Sequence, residues 1–335
     1  MSDAFDDAKI MPDAAARARA VNAVTEYNAE RPKSQMAVYR NIGLFLVPGA
    51  LIYGWVAWLL VTSGAGKNSP QTFILAGMML SVVWGGQKLW SWVWQPATDL
   101  QQGARDQLIP QVFSFVENLR YRHGLEPAFM RYLPAKSIVQ HTRIQYAVKI
   151  TGAHDGVAFS LCECLFWLHQ GKSERVTFQG AIFHCKAPQS FPGLLVVSEK
   201  LTDSSRFWFG GPDDKHIPEV HMDEGRIKRV HSVRSTNPVA AKALLDGNLG
   251  RTLVWLDGAW PDGVPRLVLS KDDIFLMVPS NKNFFELPPI GTDADYGAHL
   301  EPMVRELAML LATGGLVRKA VLPEADGGKA GINES

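Results

Sequence analysis

The chain has 335 residues, of which 47% are hydrophobic and 20% charged, and its formal net charge at pH 7 is +1. A nucleic-acid-binding protein carries a marked basic excess, so this balance predicts no nucleic-acid partner. The averages hide three different stretches: a polar one over 1–40, a membrane-like one over 41–95, and a globular one over 96–320 that is long enough to bury a full core.

The first 40 residues predict a helical segment on the cytoplasmic side. A secretory signal would begin with basic residues followed by an apolar run, but this start is acidic and has no such run. An Ala-rich helix is expected over 13–30, directly after Pro12. Pro32 is expected to end that helix.

Two apolar runs predict a transmembrane helical hairpin over 41–95. The first, 42–62, has the roughly 20 apolar residues that a helix needs to cross the hydrocarbon core. The second, 72–94, reaches that length if the flexible stem of Lys88 carries its charge to the interface. Only residues 63–71 separate the runs, so both outer ends lie on one side of the membrane.

The positive charges that flank the two runs predict the orientation. Lys and Arg cluster at the outer ends, whereas Lys67 is the only one in the connecting loop. Positively charged flanks stay in the cytoplasm. We therefore expect a multi-pass protein of the cell inner membrane, with the N- and C-terminal parts cytoplasmic and the lipid bilayer as its first partner.

A group of aromatic residues predicts where the second span leaves the bilayer. Tryptophan favours the headgroup region because its ring is apolar and its N–H is polar. Trp90, Trp92 and Trp94 recur beside Lys88 at the end of the second run. These four residues are predicted to lie at the membrane interface.

Small residues at helical spacing predict a packing face in the hairpin. Ala50 and Gly54 are four residues apart in the first span, and Gly77, Ser81 and Gly85 follow the same spacing in the second. Small side chains let helix backbones approach closely in lipid. The face either packs the two spans together or joins copies of the chain, so a homo-oligomer is an open alternative.

The residues from 96 to 320 predict a cytoplasmic α+β domain. A helix is expected over 101–123, followed by alternating runs that predict short antiparallel strands, with further helices expected to pack on the sheet. The predicted strands begin at 157, 176, 194, 206, 252, 266 and 274, and the helices span 238–245 and 296–311. Residues 321–335 are small and polar, which predicts a disordered tail.

The residue types that carry chemistry do not form a readable motif. Cys162, Cys164 and Cys185 are expected to be free thiols that pack as small apolar residues in a reducing compartment. Cys162 and Cys164 share one strand face, opposite Glu163. The sequence therefore predicts no catalytic residue, no metal site and no cofactor.

Two polar segments keep alternative interpretations. His154 and Asp155 precede a glycine before a strand, which is typical of a turn but also compatible with a catalytic site if a cysteine lies close. The basic segment 226–234 either contacts anionic lipid headgroups or keeps a strand edge soluble.

Short motifs in the domain resemble the bacterial membrane-anchored domain-of-unknown-function family 3137. They are 154–163, which reads HDGVAFSLCE, 176–183, which reads VTFQGAIF, the stretch 229–245, and the runs 274–277 and 283–286. Gln179 stands where the family's motif has lysine, and Ile227 where it has phenylalanine. The resemblance spans 35–315 and implies two spans and a soluble domain, without a catalytic residue.

Two classes of function follow from these features. The first is a membrane-tethered interaction or regulatory module that presents its domain to a membrane or cytoplasmic protein partner. The second is a membrane-associated enzyme with a site near His154 and Asp155. A deep pocket that gathers these two residues and Cys164 would favour the enzyme.

Overall fold

The computed structural model describes residues 11–62, 70–171, 173–200, 217–222 and 225–322. The chain forms two compact units. The first contains Asp13–Val112 and Leu287–Glu301, and the second contains Phe113–Glu286 and the residues from Pro302 onward. The architecture is α+β, with an antiparallel sheet, packed helices and a long apolar helix near the N-terminus. Residues 63–69 of the predicted loop 63–71, the predicted strand at 206–209 and residues 323–335 of the predicted tail lie outside the described residues, and Pro70 and Gln71 already belong to a helix.

The first unit is built from long helices. They are α1 (Ala14–Asn41), a π-helical turn (Ile42–Leu46), α2 (Val47–Thr62), α3 (Pro70–Val112) and a second π-helical turn (Tyr296–Leu300).

The helix that begins at Ala14 does not end at Pro32, so that prediction was wrong. Asp13 caps its start by accepting a hydrogen bond from the Ala16 N–H at 2.6 Å. Around the proline, the Asn28 side-chain amide donates to the Ala294 carbonyl, and the Arg31 guanidinium pairs with Asp293. A proline inside a helix costs about 3 kcal/mol. The helix nevertheless continues through Pro32 to Asn41, and these tertiary contacts hold the turn just before the proline.

The first apolar span starts with the π-helical turn. The Val47 N–H donates to the Ile42 carbonyl, five residues back, immediately before Pro48. Such single π turns are one of the recognised causes of helix bending, together with proline itself. The helix is therefore widened by one turn just before Pro48.

Helix α3 runs through Pro96 and Pro110 and ends at Val112, which corrects the helix predicted over 101–123. Its expected C-terminal part, Glu117–His123, is strand β1 and pairs with β2. The apolar residues of this stretch also fit a helical period. Pairing with a distant strand decides the outcome, and a single segment cannot show that pairing.

Within the first unit, α1 and the π turn pack against α3. Val38, Val93 and Ala97 form a small buried cluster. Beside it, Phe45 meets Trp92 edge to face, with ring centroids 4.8 Å apart. Helices α1 and α3 therefore contact each other beside the start of the first apolar run.

The second unit is a six-stranded antiparallel sheet with helices. Its strands are β1 (Glu117–His123), β2 (Arg143–His154), β3 (Val157–Gln170), β4 (Ser173–Glu199), β5 (His231–Ser235) and β6 (Arg266–Pro279). The order is β1-β2-β3-β4-β5, and β6 also pairs with β4. Its helices are α4 (Arg226–Val230), α5 (Pro238–Asp246), α6 (Asn248–Ala259) and α7 (Glu301–Ala320), together with 3-10 turns at Ala128–Arg131 and Ala135–Ser137.

The predicted helix 238–245 is confirmed as α5, and Asn237 caps it by accepting from the Ala240 N–H. The predicted helix 296–311 is present and continues to Ala320 as α7. The strand predicted at Thr252 was wrong, because that residue lies in α6. Leu249, Leu253 and Leu256 line the buried face of this helix at spacings of four and three residues.

Candidate functional site

A cavity of about 850 Å³ lies in the second unit, between one face of the sheet and helix α7. Its volume is within the range of about 300–1,000 Å³ that is typical of ligand sites. The walls come from the β1–β2–β3–β4 face and from the C-terminal half of α7. The lining residues are Phe115, Glu117, His154, Asp155, Val157, Phe159, Phe183, Cys185, Ala308, Leu311, Ala312, Gly314, Gly315, Leu316, Arg318 and Lys319.

Small residues on α7 explain why the cavity is open. The helix meets the sheet at Gly314, where a Cβ atom would lie 2.2 Å from Cε1 of Phe183. Gly315 follows directly, and a Cβ there has no described neighbour within 4 Å. Ala308 and Ala312 also line the cavity. The helix therefore approaches the sheet closely at one point and leaves space beside it.

The floor of the cavity is aromatic and apolar. The rings of Phe159 and Phe183 stack with centroids 5.9 Å apart and planes 17° apart, and both side chains are buried. Burial of such rings gives the sheet much of its stability and leaves an apolar surface facing the helix.

At the rim, the β2–β3 turn carries the polar pair that the sequence singled out. Asp155 and Gly156 both have positive φ (49° and 73°), as a two-residue hairpin turn requires. His154 Nδ1 lies 3.4 Å from the Phe115 carbonyl, and its Nε2 lies 3.8 Å from Asp155 Oδ2. The second distance is too long for a hydrogen bond. The imidazole and carboxylate are therefore neighbours without being a bonded acid–base pair.

The cysteine beside this turn is Cys185, not Cys164. Cys185 lies in the cavity wall, paired across the sheet with Phe159. Cys164 is buried with Cys162 in the core on the other face of β3. The strand register decides which thiol meets the turn, and no local pattern in the sequence shows that register.

Burial favours the protonated form of the Cys185 thiol. It raises the pKa of Cys185 to about 12, although Arg318 opposes the rise. A thiol with this pKa is protonated at neutral pH, and the thiolate is the nucleophilic form. Among the described residues, no group of three His, Cys, Asp or Glu side chains is placed to hold a metal ion.

A second polar cluster lies next to the cavity wall but on the opposite face of β4. His184 Nε2 lies 2.7 Å from Asp273 Oδ1, and Lys186 Nζ lies 2.8 Å from the same oxygen. The His184 ring also stacks on Phe129 at 5.1 Å. The cluster ties β4 to β6, because Lys186 and Asp273 are also register partners.

The pKa values in this cluster follow from burial and charge. Burial lowers the pKa of His184, and the hydrogen bond to Asp273 only partly opposes this. Burial acts to raise the pKa of Asp273, but hydrogen bonds from Lys186 and His184 outweigh it and hold the pKa below its usual range. The cluster therefore favours a neutral imidazole next to an ionised carboxylate.

Glu163 lies on the face of β3 opposite to that of Cys162 and Cys164. Its side chain is buried and forms a hydrogen bond to the backbone. Its Oε1 accepts a hydrogen bond from the Phe284 N–H at 2.6 Å. A buried carboxylate with a backbone donor fixes the approach of a loop to the sheet. The sequence predicted the direction of this side chain but not its partner.

The basic segment 226–234 is divided between surface and interior, which corrects the view of it as one exposed patch. Lys228 and Arg229 are exposed on α4, whereas His231 and Arg234 are buried on β5. His231 Nε2 lies 3.0 Å from Asp257 Oδ1, and Arg234 donates to Ser198 Oγ at 3.0 Å. His231 and Arg234 therefore form contacts in the interior of the domain, whereas Lys228 and Arg229 face solvent.

The predicted interface residues lie in one stretch of α3. Lys88, Trp90 and Trp92 are exposed, and Trp94 is partly buried against the Val38, Val93 and Ala97 cluster. The rings of Trp90 and Trp94 are 5.8 Å apart. Their role at a membrane interface stays a prediction.

The predicted packing residues lie on α2 and α3. Ala50, Gly54 and Gly77 are exposed, and a Cβ at either glycine has no described neighbour within 4 Å. Ser81 and Gly85 lie on α3, but their side chains are outside the described part. The helix-packing role of all five residues stays a prediction.

The second unit is thus an antiparallel α+β domain with a cavity under its C-terminal helix. The family described as "Protein of unknown function (DUF3137)" matches residues 176–317, from β4 into α7. The predicted resemblance to this family is confirmed over these residues, whereas the motif at 154–163 lies outside the match. The match includes two walls of the cavity, β4 and α7.

No curated protein matches the chain. Among solved structures, the mycobacterial trehalose monomycolate transport factor A, TtfA, is matched at 13% identity and a TM-score of 0.32. The alignment covers 58% of this chain and 88% of that one. Identity and TM-score at this level do not establish a shared function.

Proposed function

We propose that this protein is a membrane-tethered binding module. Residues 42–62 and 72–94 form a hairpin in the cell inner membrane, and the α+β domain is cytoplasmic. The domain presents its surface and its cavity to a partner, which is a membrane or cytoplasmic protein. The proposal has two parts, the anchor and the binding role, and each rests on its own observation.

One observation carries the anchor: the apolar side chains of the first span are exposed. Leu51 is 69% exposed and Trp55 is 62% exposed, on a helix that has no charged residue from 41 to 62. The exposed set is Leu44, Phe45, Val47, Leu51, Ile52, Trp55, Trp58 and Leu59. A contiguous apolar surface of this size is typical of a membrane or protein interaction site.

The length of this helix also fits the bilayer. From 42 to 62 the chain covers about 31 Å at 1.5 Å per residue, close to the hydrocarbon thickness. In the described part of the chain, Ala14–Leu59 is the helix that is long and apolar enough to cross a membrane, with a mean hydropathy of 1.8 in a window that is not buried.

The contact between Phe45 and Trp92 supports a second arm. It brings α3 beside the start of the first span, and residues 70–92 of α3 cover about 33 Å of helix, which is enough to cross the hydrocarbon core. The tryptophans at 90 and 92 then lie at the membrane interface, and the basic flanks keep both termini in the cytoplasm.

The protonation of the cysteine in the cavity favours a binding role over catalysis. The turn with His154 and Asp155 does open into a pocket with a cysteine, as an enzyme would require. Burial raises the pKa of that cysteine, Cys185, to about 12, which favours the neutral thiol over the nucleophilic thiolate. An interaction partner or a ligand is the occupant that this geometry suits. The exposed small residues at 50, 54 and 77 also leave room for a homo-oligomer within the membrane.

Alkaline carbonate extraction of membranes tests the anchor. We expect the wild-type chain to stay in the membrane pellet. Replacing Leu51 and Trp55 by Asp should release it, because each central Asp costs about 2.5–3.5 kcal/mol in a spanning helix. Leu125→Asp changes an exposed leucine of the domain and serves as the matched control, which should stay in the pellet. Extraction of the wild-type chain by carbonate would overturn the proposal.

A further inference from the structure

Helix α1 has an exposed face that carries no charge. Its buried residues repeat along one side of the helix and are Ala16, Ala20, Val24, Tyr27, Val38 and Asn41. The opposite side is formed by positions three or four residues apart, which at about 100° per residue fall within a sector of about 80°. These positions, the outer stripe, are all exposed and all uncharged: Ala14, Ala18, Val21, Thr25, Ala29, Pro32, Met36 and Tyr39.

The outer stripe departs from the usual pattern of a helix that packs on one side only. The large members of the stripe, Val21, Met36 and Tyr39, are 41%, 73% and 63% exposed. In a one-sided helix the middle of the exposed face is charged or polar. Here exposed charges such as Lys33 and Arg40 flank the stripe instead. Helix α1 therefore has one apolar face that packs on α3 and a second that is open to solvent.

The segment 287–301 packs on α1 without covering the outer stripe. Asn28 exchanges two hydrogen bonds with the backbone of Ala294, and the Arg17 guanidinium lies 5.2 Å from the centre of the Tyr296 ring. At about 100° per residue, Arg17 and Asn28 both lie on the same flank of the stripe. The middle of the stripe is left open by this contact.

Lipid does not account for the outer stripe either. Glu26, Glu30 and Lys33 are exposed on the same helix, and the uncharged run starts only after Arg40. Ionised side chains are costly in hydrocarbon, so the stripe belongs to the part of the chain outside the bilayer. An exposed apolar surface outside the bilayer is typical of a protein interaction site.

The charges beside the stripe are compatible with a second copy of the chain as the partner. One flank carries Glu26, Lys33 and Arg40, and the other carries the amides of Asn28 and Gln35. When a two-fold axis relates two parallel helices, the charged flank of each copy meets the amide flank of the other. Pairing of two stripes therefore brings no like charges together.

The membrane anchor supplies the direction of the pair. Copies anchored in one membrane have the same orientation, so their α1 helices run parallel, and tethering raises their local concentration. The stripe spans about 38 Å, and small residues such as Ala18 and Ala29 let two helices approach closely along it.

We propose that α1 is a dimerisation helix, and that two copies of the chain pair in parallel and in register through the outer stripe. The inference deepens the homo-oligomer left open above by naming its surface outside the membrane. It rests on the proposed anchor, which fixes the parallel direction.

Disulfide cross-linking of single-cysteine variants of the full-length chain in membrane vesicles tests this pairing. Ala18→Cys, Ala29→Cys and Met36→Cys place a thiol on the stripe. Arg19→Cys and Glu30→Cys are matched controls, since each is the neighbour of a stripe residue but lies about 100° around the helix. A disulfide needs Cα atoms within about 7 Å, so with copper phenanthroline the stripe variants should form dimers about tenfold faster than the controls. The wild-type chain, whose cysteines are all buried, should not cross-link.

The positions that cross-link also report the direction of the pair. A parallel pair brings each stripe residue next to the same residue of the other copy, so Ala18→Cys and Met36→Cys each cross-link alone. In an antiparallel pair the two ends of the stripe meet, and these variants would cross-link only when they are mixed. Cross-linking only on mixing would overturn the parallel dimer.

A charge on the stripe should weaken the pair. In the Ala18→Cys background, Ala29→Glu should slow cross-linking about tenfold, because two carboxylates then meet in the middle of the contact. Gln35→Glu adds the same charge to the amide flank, beside Lys33 and Arg40 of the second copy, and should not slow it.

Equal cross-linking rates for the stripe variants and their controls would overturn the dimer, as would stripe cysteines that cross-link to a different protein without forming dimers. Carbonate extraction of the same vesicles reports the anchor separately. A chain that stays in the pellet without cross-linking contradicts the dimer and leaves the anchor in place. A chain that is extracted but still cross-links at the stripe contradicts the anchor and leaves the dimer in place.

Discussion

Gly314 of α7 lies directly against the ring of Phe183, so closely that a Cβ atom would be 2.2 Å from Cε1. Its neighbour Gly315 is in the same helix but faces open space. Two adjacent glycines thus have opposite roles: one permits contact between helix and sheet, and the other widens the cavity beside that contact.

This difference predicts opposite effects of the same substitution on stability. Gly314→Ala should lower the free energy of unfolding by about 1–3 kcal/mol, because the added methyl group forces the helix away from the sheet. Gly315→Ala should be neutral or raise it by up to about 1 kcal/mol, because alanine favours the helix and meets no atom. Urea unfolding of the purified protein, followed by fluorescence, measures both. Equal effects would contradict the close contact at Phe183.

The cluster of His184 and Asp273 predicts how stability depends on pH. Burial lowers the pKa of His184 below its unfolded value of 6.5. The pKa of Asp273 is below its unfolded value of 3.8, since hydrogen bonds from Lys186 and His184 outweigh burial. Both groups therefore contribute stability that is present above their unfolded pKa values. That stability is lost as the pH falls through the folded values, for His184 below about pH 6.5.

Replacing His184 by Gln should flatten the loss of stability on acidification below pH 6.5. The variant has no imidazole that must stay neutral in the folded state, so fewer protons are taken up on unfolding. Thermal unfolding midpoints measured between pH 7 and 5 give the slope. His221→Gln, at an exposed histidine, is the control and should keep the wild-type slope. An unchanged slope in the His184 variant would contradict the buried neutral imidazole.

The sequence predicted the class of fold from local patterns, and its errors have a common cause. The runs at 157 and 176 alternate strictly, so each predicts a strand by itself. Residues 117–123 and 252–256 are short and compatible with either period. Residues 117–123 form a strand because they pair with β2. Residues 252–256 form a helix because α6 buries its apolar face. Local propensity does not contain that information.

The candidate site was harder to predict than the fold because it depends on strand register. Asp155 and its glycine were recognised as a turn from the sequence. The thiol facing the same cavity is Cys185, which is 30 residues away and arrives there through the pairing of Phe159 with Cys185. The roles of Gly314 and Gly315 in α7 could not be predicted from the sequence, because they depend on which of the two faces the Phe183 ring.

The two classes of function predict different effects of changes at the turn. His154→Ala with Asp155→Asn should fully complement a deletion strain if the domain is a binding module. Any turn contact that is lost should cost about 1 kcal/mol or less. Removing 42–94 while keeping the domain should abolish complementation, because tethering raises the local concentration near a membrane partner. Complementation by the untethered domain, together with failure of the turn variant, would favour an enzyme.

The packing face of the hairpin makes a further prediction. Ser81→Leu with Gly85→Leu should loosen the association of the spans, because each leucine pushes the partner backbone outward. Cross-linking and size measurements in detergent would show whether the loss is within one chain or between copies. Val239→Leu, at an exposed site of the domain, is the control. Unchanged behaviour of the double variant would mean that these small residues do not pack.

Labelling of single cysteines tests the predicted orientation in the membrane. A cysteine introduced at Asn68 should react with a membrane-impermeant maleimide added to intact cells, and one at Ser34 should react only after lysis. The native thiols do not interfere, since Cys162, Cys164 and Cys185 are all buried, and the wild-type chain should therefore label only after denaturation. The basic flanks of the two spans give the expected direction. Reaction at Ser34 in intact cells, with protection at Asn68, would reverse the orientation while leaving the hairpin in place.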